Sequence, residues 1–233
     1  MKSKVKTSEV SPDLQKLLHK EGNPLSIKKD TFLFNEGEPA SRLFMVTSGK
    51  VQIGKLSPDG KELALRICHA GDIIGEVNLY SEEVKYILHA KVLEDGEVIV
   101  LDKAKLEESL LQEKELTIEF MKLMNNSYRR DQTRFRDLVL FGKKGALYST
   151  LIRLSNSYGV KTNQDIYLDI SLTNQQLANF CGTTRESVNR LLNELKRNSV
   201  ISMDKGHITI HDLNFLKSEI NCEDCPIVLC TIH

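Results

Sequence analysis

Three of the five cysteines of this chain lie within nine residues near its C-terminal end, in the stretch CEDCPIVLC. Cys222, Cys225 and Cys230 have the spacing C-x2-C-x4-C, which is short enough for three thiolates to converge on one inorganic centre, and Pro226 follows the second cysteine as in some cluster motifs. Zinc also accepts thiolate ligands, and a tail with incidental thiols is a further interpretation. The spacing indicates a metal or iron–sulfur site without choosing between them.

A four-iron cluster needs a fourth ligand beyond the three that the tail supplies. Cys181 lies in a turn where a small apolar residue is expected, and Cys68 lies in a β-rich segment, so both are expected to be core residues. On chemistry alone, His207, His211 and His233 remain candidates. The CEDC pair could instead be a redox dithiol, but it lies outside the strand-to-helix setting in which such pairs are expected.

The composition fits a globular protein of one large or two ordinary domains, with 233 residues, 40% of them hydrophobic and 27% charged. No run approaches the roughly 18 to 20 apolar residues of a membrane span, and the first residues lack the apolar segment of a signal peptide. We therefore expect a cytoplasmic protein with no membrane partner, in which thiols stay reduced. The net charge of zero does not exclude nucleic-acid binding, because positive charge can be confined to one domain.

The elements that must position these cysteines change in character along the chain. Between Leu25 and Leu101, short β-prone stretches alternate with Gly-containing turns, which predicts an antiparallel sandwich or barrel. Residues 104–140 contain neither Gly nor Pro. Within them Met121, Tyr128 and Phe135 recur every seven residues, which predicts a long helix whose seam pairs two subunits; packing on its own sandwich is the alternative.

The segment after the FGKKG stretch, which is a plausible hinge, carries two helix-start signals. Thr173 with Gln176, and Thr183 with Glu186, each fit the capping-box pattern. Apolar residues recur at helical spacing after each start, and a turn at residues 204–206 separates two β-prone stretches. This pattern predicts a helix-turn-helix followed by a hairpin.

In this order the parts resemble the Crp/Fnr family of bacterial transcription regulators. LFNEGEPASRLFMVTSGKVQIGKL, PDGKE and GDIIGE are similar to its jelly-roll sensor, and TTRESVNRLL is similar to its recognition helix. The resemblance implies an α+β chain with a cyclic-nucleotide-binding-like jelly roll (1–103), a dimerisation helix (104–140), a winged helix-turn-helix (141–219) and a cysteine tail (220–233). It implies a homodimeric regulator, not an enzyme, that binds a two-fold symmetric DNA site and contacts RNA polymerase.

The resemblance also implies which side chains read bases. Arg185, Glu186 and Arg190 match the Arg-Glu-x-x-x-Arg pattern of members that bind TGTGA/TCACA palindromes. Arginine can donate two hydrogen bonds to guanine, and glutamate can accept one from cytosine.

Three further residues are expected at the same interface. Asn189 departs from the small residue usual at its place, so the middle of the half-site is left open. Lys196 and Arg197 are expected to contact phosphates. The alternative for the whole set is a solvated charged helix face.

The effector of the jelly roll is constrained by one departure from the family pattern. Members that bind cyclic AMP follow Gly-Glu with an Arg-Ser pair, in which the arginine clamps the phosphate. Here Gly75 and Glu76 lead to Tyr86 and Ile87 at those places. Without a cation for the phosphate, cyclic-nucleotide binding is not expected.

The cysteine tail resembles that of the Bacillus-type Fnr branch, which carries an iron–sulfur cluster on a C-terminal extension. The resemblance implies a 4Fe-4S cluster held by the three tail cysteines and by an aspartate at the end of the dimer helix, a place that Asp137 matches. An ion pair with Arg134 or Arg136 is the competing role for Asp137. The implied function is an oxygen-responsive regulator, an activator of anaerobic genes; the alternative is a regulator of another effector with a structural or zinc-binding tail.

Overall fold

The computed structural model describes residues 10–75 and 79–233, so Glu76 lies outside the described residues. The chain forms two compact units, one built mainly from residues up to 126 and the other mainly from residues 127–232. Helices and antiparallel sheets occur in both, which confirms the predicted α+β class. No helix of the described residues combines the length and apolar character that crossing a membrane requires.

The order of a β-rich segment, a long helical segment and a helix-turn-helix with a hairpin is as predicted, whereas the helices Pro12–Glu21 and Leu213–Glu219 were not predicted. The helices are α1 (Pro12–Glu21), α2 (Lys103–Gln112), α3 (Lys114–Tyr158), α4 (Asn174–Phe180), α5 (Arg185–Arg197) and α6 (Leu213–Glu219), with a short 3-10 turn at Ile227–Leu229. The strands are β1 (Asn23–Ile27), β2 (Phe32–Phe34), β3 (Arg42–Leu56), β4 (Glu62–Cys68), β5 (Ile73–Ile74), β6 (His89–Asp102), β7 (Gly159–Thr162), β8 (Asp165–Leu168), β9 (Ile201–Asp204) and β10 (His207–Ile210).

The first unit is an antiparallel β structure built around two long strands, β3 and β6. Its path runs β1-β6-β3-β4, with β2 paired to β6 and β5 paired to β3. The register of β3 against β6 shifts between Val46 and Val51. There Gly96 approaches β3 so closely that a Cβ atom would clash with the carbonyl of Ser48, so only glycine fits.

Aromatic side chains of this unit, Tyr86 among them, lie in its mainly aliphatic core. The ring of Tyr86 stacks on Phe34 with 3.8 Å between ring centroids. Its hydroxyl donates to the backbone carbonyl of Arg42 at 2.9 Å, and only 3% of the residue is exposed. Tyr86 is therefore a core residue, whereas Ile87 beside it is largely exposed.

The predicted single helix from residue 104 is two helices, a difference caused by packing. Glu113 has an extended backbone (φ −121°, ψ 103°) and ends α2. The break lets apolar residues of both helices, including Leu110 and Phe120, enter one core cluster with β3 and β6. Burying apolar area on both sides of the break outweighs helix continuity.

Helix α3 has one face that packs on the sandwich and one face that is exposed, so it has a surface for each of the two predicted alternatives. Leu116 and Leu123 pack into the core of the first unit. Met121, Tyr128 and Phe135, the three residues of the predicted seam, are each more than 60% exposed. The seven-residue repeat thus lies along the solvent side of this helix.

Helix α3 is broken at Gly142, inside the stretch predicted as a hinge. Gly142 has φ +58° and ψ −151°, a conformation that favours glycine. We call residues 114–141 the first arm and residues 143–158 the second arm. The break allows residues far apart along the helix to meet, as the site shows.

The second unit contains the predicted helix-turn-helix and hairpin. Thr173 and Gln176 form the predicted capping box at the start of α4. The predicted box at Thr183 was wrong: Thr184 caps α5 by accepting from the backbone N–H of Ser187. The buried Thr183 hydroxyl has no hydrogen-bond partner among the residues that the structure describes. Thr184, which directly precedes α5, has the extended backbone (φ −87°, ψ 153°) of a helix cap.

The hairpin that follows belongs to a four-stranded antiparallel sheet of order β7-β8-β10-β9. Lys205 and Gly206, which join β9 to β10, both have positive φ (+46° and +83°). Such a two-residue turn matches the twist of a hairpin. The predicted winged helix-turn-helix is therefore confirmed as a fold.

Because Tyr86 is buried in the sandwich core and brings no cation, we predict that cyclic AMP does not bind. Titration calorimetry at millimolar cyclic AMP should give no saturable heat for the wild type. Tyr86→Phe should behave in the same way, since it keeps the stacked ring and loses the hydrogen bond to the Arg42 carbonyl, worth about 1 kcal/mol of folding stability. Saturable binding at micromolar cyclic AMP would contradict this description of the sandwich.

Candidate functional site

The tail after α6 is folded back on itself. The backbone N–H of Cys222 donates to the Lys217 carbonyl at 2.9 Å, and the N–H of Cys230 donates to the Ile227 carbonyl at 2.9 Å. Between them Asp224 takes a positive φ of +47° and pairs with Lys217 at 2.6 Å. These local bonds give the C-x2-C-x4-C stretch a defined backbone path.

The three tail cysteines line one small cavity of about 20 Å³, together with the predicted fourth ligand. Its lining residues come from both arms of α3 and from the tail: Arg136, Asp137, Ser149, Ile152, Arg153, Ile220, Cys222, Cys225 and Cys230. All three cysteines are partly buried free thiols. Residues as far apart in the sequence as Arg136 and Cys230 thus line the same cavity.

The histidines considered as alternative ligands do not line this cavity. His207 stacks on Tyr167 with 5.4 Å between ring centroids. His211 pairs with Asp165 at 3.0 Å, on the sheet of the second unit. His233 is buried and is absent from the residues, among those described, that line the cavity.

Asp137 is 3% exposed and has a full set of hydrogen bonds. Its Oδ1 accepts from Arg136 Nη2 at 2.7 Å and from Nε of the same side chain at 3.0 Å. Its Oδ2 accepts from the Ser149 hydroxyl at 2.5 Å and from Arg153 Nη2 at 3.3 Å. The expected ion pair with Arg136 is present, while the part played by Arg153 was not predicted.

The neighbourhood of Asp137 holds more positive than negative charge. Partial burial opposes protonation of Arg136, but its hydrogen bond to Asp137 raises the pKa of the guanidinium. Burial, followed by the positive charge of Arg153, lowers the pKa of Arg134 to about 10, so Arg134 stays protonated at neutral pH. Such a region favours an additional anionic group.

Two opposing effects act on the pKa of the Cys230 thiol, which lines the cavity. Burial raises the pKa of its thiol, and the positive charge of Arg153 acts in the opposite direction. A metal ion or cluster would favour the thiolate form, because a coordinating thiol is deprotonated.

The donor set fits a thiolate-bound centre, but the donors must close in to hold it. Three sulfurs and one carboxylate suit iron–sulfur or zinc chemistry, and two guanidinium groups can offset the negative charge. Within residues 10–75 and 79–233, no three His, Cys, Asp or Glu side chains are gathered tightly enough to hold a metal ion. Asp137 would also have to give up a hydrogen bond, since each oxygen already accepts two; the longest is that from Arg153.

The other two cysteines are core residues, as the sequence predicted. Cys181 ends α4, with its sulfur 3.9 Å from the hydroxyl of Thr150. Burial raises the pKa of this thiol to about 12. Cys68 is fully buried inside the first unit.

The predicted recognition helix is α5, which is strongly amphipathic. Its buried face is apolar: Val188, Leu191, Leu192 and Leu195. The six predicted DNA contacts are all exposed on it: Arg185, Glu186, Asn189, Arg190, Lys196 and Arg197. A face of this kind can enter a groove while the helix stays anchored.

Two of these six side chains are held by neighbours. The backbone N–H of Glu186 itself, followed by the Thr184 side chain, lowers the pKa of the Glu186 carboxyl. It is therefore an ionised acceptor. The Asn189 side chain accepts from the amide of Asn174, so the departure at position 189 is tied to the preceding helix α4.

Comparison with known proteins agrees with this description. Residues 24–113 match the cyclic nucleotide-binding domain family, and residues 145–219 match the Crp-like helix-turn-helix domain family. The chain is 53% identical to the anaerobic regulatory protein of Bacillus subtilis (strain 168), over 96% of this chain and 94% of that protein. This chain belongs to the Crp/Fnr family of transcription regulators, which are not enzymes.

More distant relatives share the architecture. The chain is 25% identical to a CRP-like cAMP-activated global transcriptional regulator of Mycobacterium tuberculosis, over 87% of this chain and 90% of that protein. A solved structure of a CooA mutant from Carboxydothermus hydrogenoformans superimposes with a TM-score of 0.76 at 23% identity, covering 90% of this chain and 92% of the other. The latter likeness concerns the fold alone.

The exposed face of α5 yields a prediction about DNA reading. Arg185→Ala should weaken binding to a TGTGA/TCACA palindrome by about 1–3 kcal/mol and leave random DNA much less affected, because a bidentate base contact is lost. Arg197→Ala is the matched control, which should weaken both by similar factors as a phosphate contact does. Fluorescence anisotropy measures both. An equal loss on both DNAs for Arg185→Ala would make Arg185 a phosphate contact.

Proposed function

We propose that this protein is an oxygen-responsive transcription regulator whose DNA binding is controlled by a 4Fe-4S cluster on its C-terminal tail. One observation carries the proposal: the three tail cysteines and Asp137, from distant parts of the sequence, line the same cavity. The cavity-lining arginines supply charge that an anionic centre needs. The likeness to a relative described as an anaerobic regulatory protein supports a role as an activator of anaerobic genes.

The proposal includes the partners that such a regulator requires. The exposed stripe of Met121, Tyr128 and Phe135 on α3 supports pairing with a second copy, which would place two recognition helices on a palindrome of the TGTGA/TCACA kind. RNA polymerase is the expected protein partner at an activated promoter. A regulator with these partners would work in the bacterial cytoplasm, where the DNA is.

The chain's own residues suggest how the tail could influence the reading helix. Asp137 lies on the first arm, Ser149 and Arg153 lie on the second arm, and the cysteines lie on the tail. A four-iron cluster supplies oxygen-sensitive chemistry that these side chains lack. The second arm is followed along the chain by β7, β8 and then the helix-turn-helix, so bonds that join this arm to Asp137 would bias the path of the chain toward α5. A ligand shifts that equilibrium only by the difference in its affinity for the two arrangements.

The test is to replace each tail cysteine by Ser and to measure iron, acid-labile sulfide, the visible absorption spectrum and DNA affinity after anaerobic purification. We expect each of Cys222→Ser, Cys225→Ser and Cys230→Ser to lose the cluster and specific DNA binding together. Cys68→Ser is the matched control, and it should retain iron because Cys68 lies in the core of the first unit. Full operator binding and oxygen response in a chain lacking all three tail cysteines would overturn the proposal. If the purified protein is colourless and contains stoichiometric zinc, the tail binds zinc and not a cluster.

Testing the fourth ligand requires a variant that removes ligation and still lets the protein fold. Asp137→Ala would leave two buried or half-buried arginines without their carboxylate, a loss of about 3–5 kcal/mol that confounds the result. Asp137→Asn keeps the shape and an oxygen acceptor while removing the charge, so we expect a folded protein with a labile or incomplete centre. Asp131→Asn, at an exposed position of the same arm, is the control. Full iron content and unchanged lability in Asp137→Asn would place the fourth ligand elsewhere.

A further inference from the structure

The far end of the tail is held by three side chains on one face of the second arm. Arg153 Nη1 donates to the Leu229 carbonyl at 2.9 Å. Asn156 Nδ2 donates to the Cys230 carbonyl at 2.7 Å, and the Ser157 hydroxyl accepts from the backbone N–H of Ile232 at 3.0 Å. Positions i, i+3 and i+4 share a helix face, so the three side chains hold neighbouring parts of one tail segment, residues 229–232.

All three bonds reach the backbone of the tail, and none uses the side chain of a tail cysteine. They flank or include Cys230, whose own carbonyl is the acceptor for Asn156. Leu229 and Ile232 on either side are 3% and 0% exposed. Burying two apolar side chains while satisfying the intervening backbone groups is the combination that holds a segment in place.

Beyond the backbone bond from Cys222 to Lys217 and the buried Ile220, the near end of the tail is held by weaker contacts. Its charged side chains pair with Arg136, through Glu223, and with Lys217, through Asp224. Glu223 and Asp224 are 65% and 74% exposed in these pairs. Exposed ion pairs contribute little to stability because water and salt screen them. The two ends of the cysteine motif are therefore anchored unequally.

We infer that Arg153, Asn156 and Ser157 form a tail-docking face that places Cys230 beside Asp137 before any metal binds, so that the segment with Cys222 and Cys225 closes onto a preset pair of ligands. Asn156 and Ser157 are positioning residues in this scheme, since they hold the backbone and supply no ligand. The docking face itself depends on no metal, and only its role in placing a ligand rests on the proposed function.

The test measures the thiol reactivity of the full-length protein after chelation and reduction. Each cysteine is labelled with iodoacetamide at fixed pH, and its rate is read by mass spectrometry. Wild-type Cys230 should react more slowly than Cys222 and Cys225. Asn156→Ala and Ser157→Ala should each speed up labelling of Cys230 by about fivefold, the factor expected from one lost hydrogen bond, because labelling follows the population of the open form.

Ser155→Ala is the matched control on the same arm. Its hydroxyl donates to the carbonyl of Ile152 in its own helix at 2.7 Å, so this change should leave the Cys230 rate as in the wild type. A chain lacking residues 231–233 retains all three tail cysteines and loses the bond to Ser157, so it should match Ser157→Ala or exceed it. If Asn156→Ala, Ser157→Ala and the truncated chain all label Cys230 like Ser155→Ala, the docking face is refuted.

A second arm of the experiment separates this inference from the proposed function. The same proteins are incubated anaerobically with ferrous iron and sulfide, and the initial rate of cluster formation is measured. Asn156→Ala should assemble the centre about fivefold more slowly, in proportion to the lost docked population. If the labelling pattern holds and the wild type takes up no iron, the proposed function fails and the docking face stands. Equal assembly rates despite altered labelling would refute the positioning role.

Discussion

The buried guanidinium of Arg153 is the interaction on which the candidate site depends. It is 3% exposed, and a charge so placed must be paired and fully hydrogen bonded to be tolerated. Its partners are Asp137 and Thr133 on the first arm, Ser149 on the second arm, and the Leu229 carbonyl in the tail. One side chain thus joins the two arms and the tail.

This junction is possible only because the helix is broken. Asp137 and Arg153 are 16 residues apart, a separation of about 24 Å in an unbroken helix. The left-handed backbone of Gly142 lets the second arm turn back so that the two side chains meet. A residue with a Cβ atom at that position would be strained. Gly142 is therefore as necessary to the site as the charged groups are.

The hydrogen bonds of Asp137 and its proposed role as a ligand would compete for the same oxygens. As a ligand it would have to release a hydrogen bond, and the longest is the one from Arg153. The freed guanidinium would still be held by Thr133 and the Leu229 carbonyl. A change of partners at Asp137 would therefore alter contacts of Arg153 that connect both arms and the tail. An oxygen ligand would also be held less tightly than the thiolates, which would suit a centre that is lost in response to oxygen.

The sequence predicted those parts whose signals are local and periodic. Turn residues and β-prone runs indicated the sandwich, and the capping box at Thr173 indicated α4. The break at Glu113 was missed because nothing local marks it; it arises from packing on the sheet. Thr183 and Thr184 are chemically alike, so only the backbone conformation decides which caps α5.

The tail-docking face left almost no trace in the sequence. It recognises the tail through backbone groups, so the tail residues need no distinctive side chains. The signal available was Arg153 itself, a single cation in the apolar stretch around LIRLS, because arginine is almost never fully buried unless it is paired. The family resemblance identified Asp137, but nothing in the sequence indicated its contact with Arg153.

The most direct test of the account is to titrate oxygen into the anaerobically purified protein and to follow iron per chain and operator affinity in the same samples. If the tail centre controls DNA binding, affinity for the palindrome should fall in step with bound iron, while affinity for random DNA stays nearly constant. Operator affinity that remains unchanged as the iron is lost would contradict the central claim.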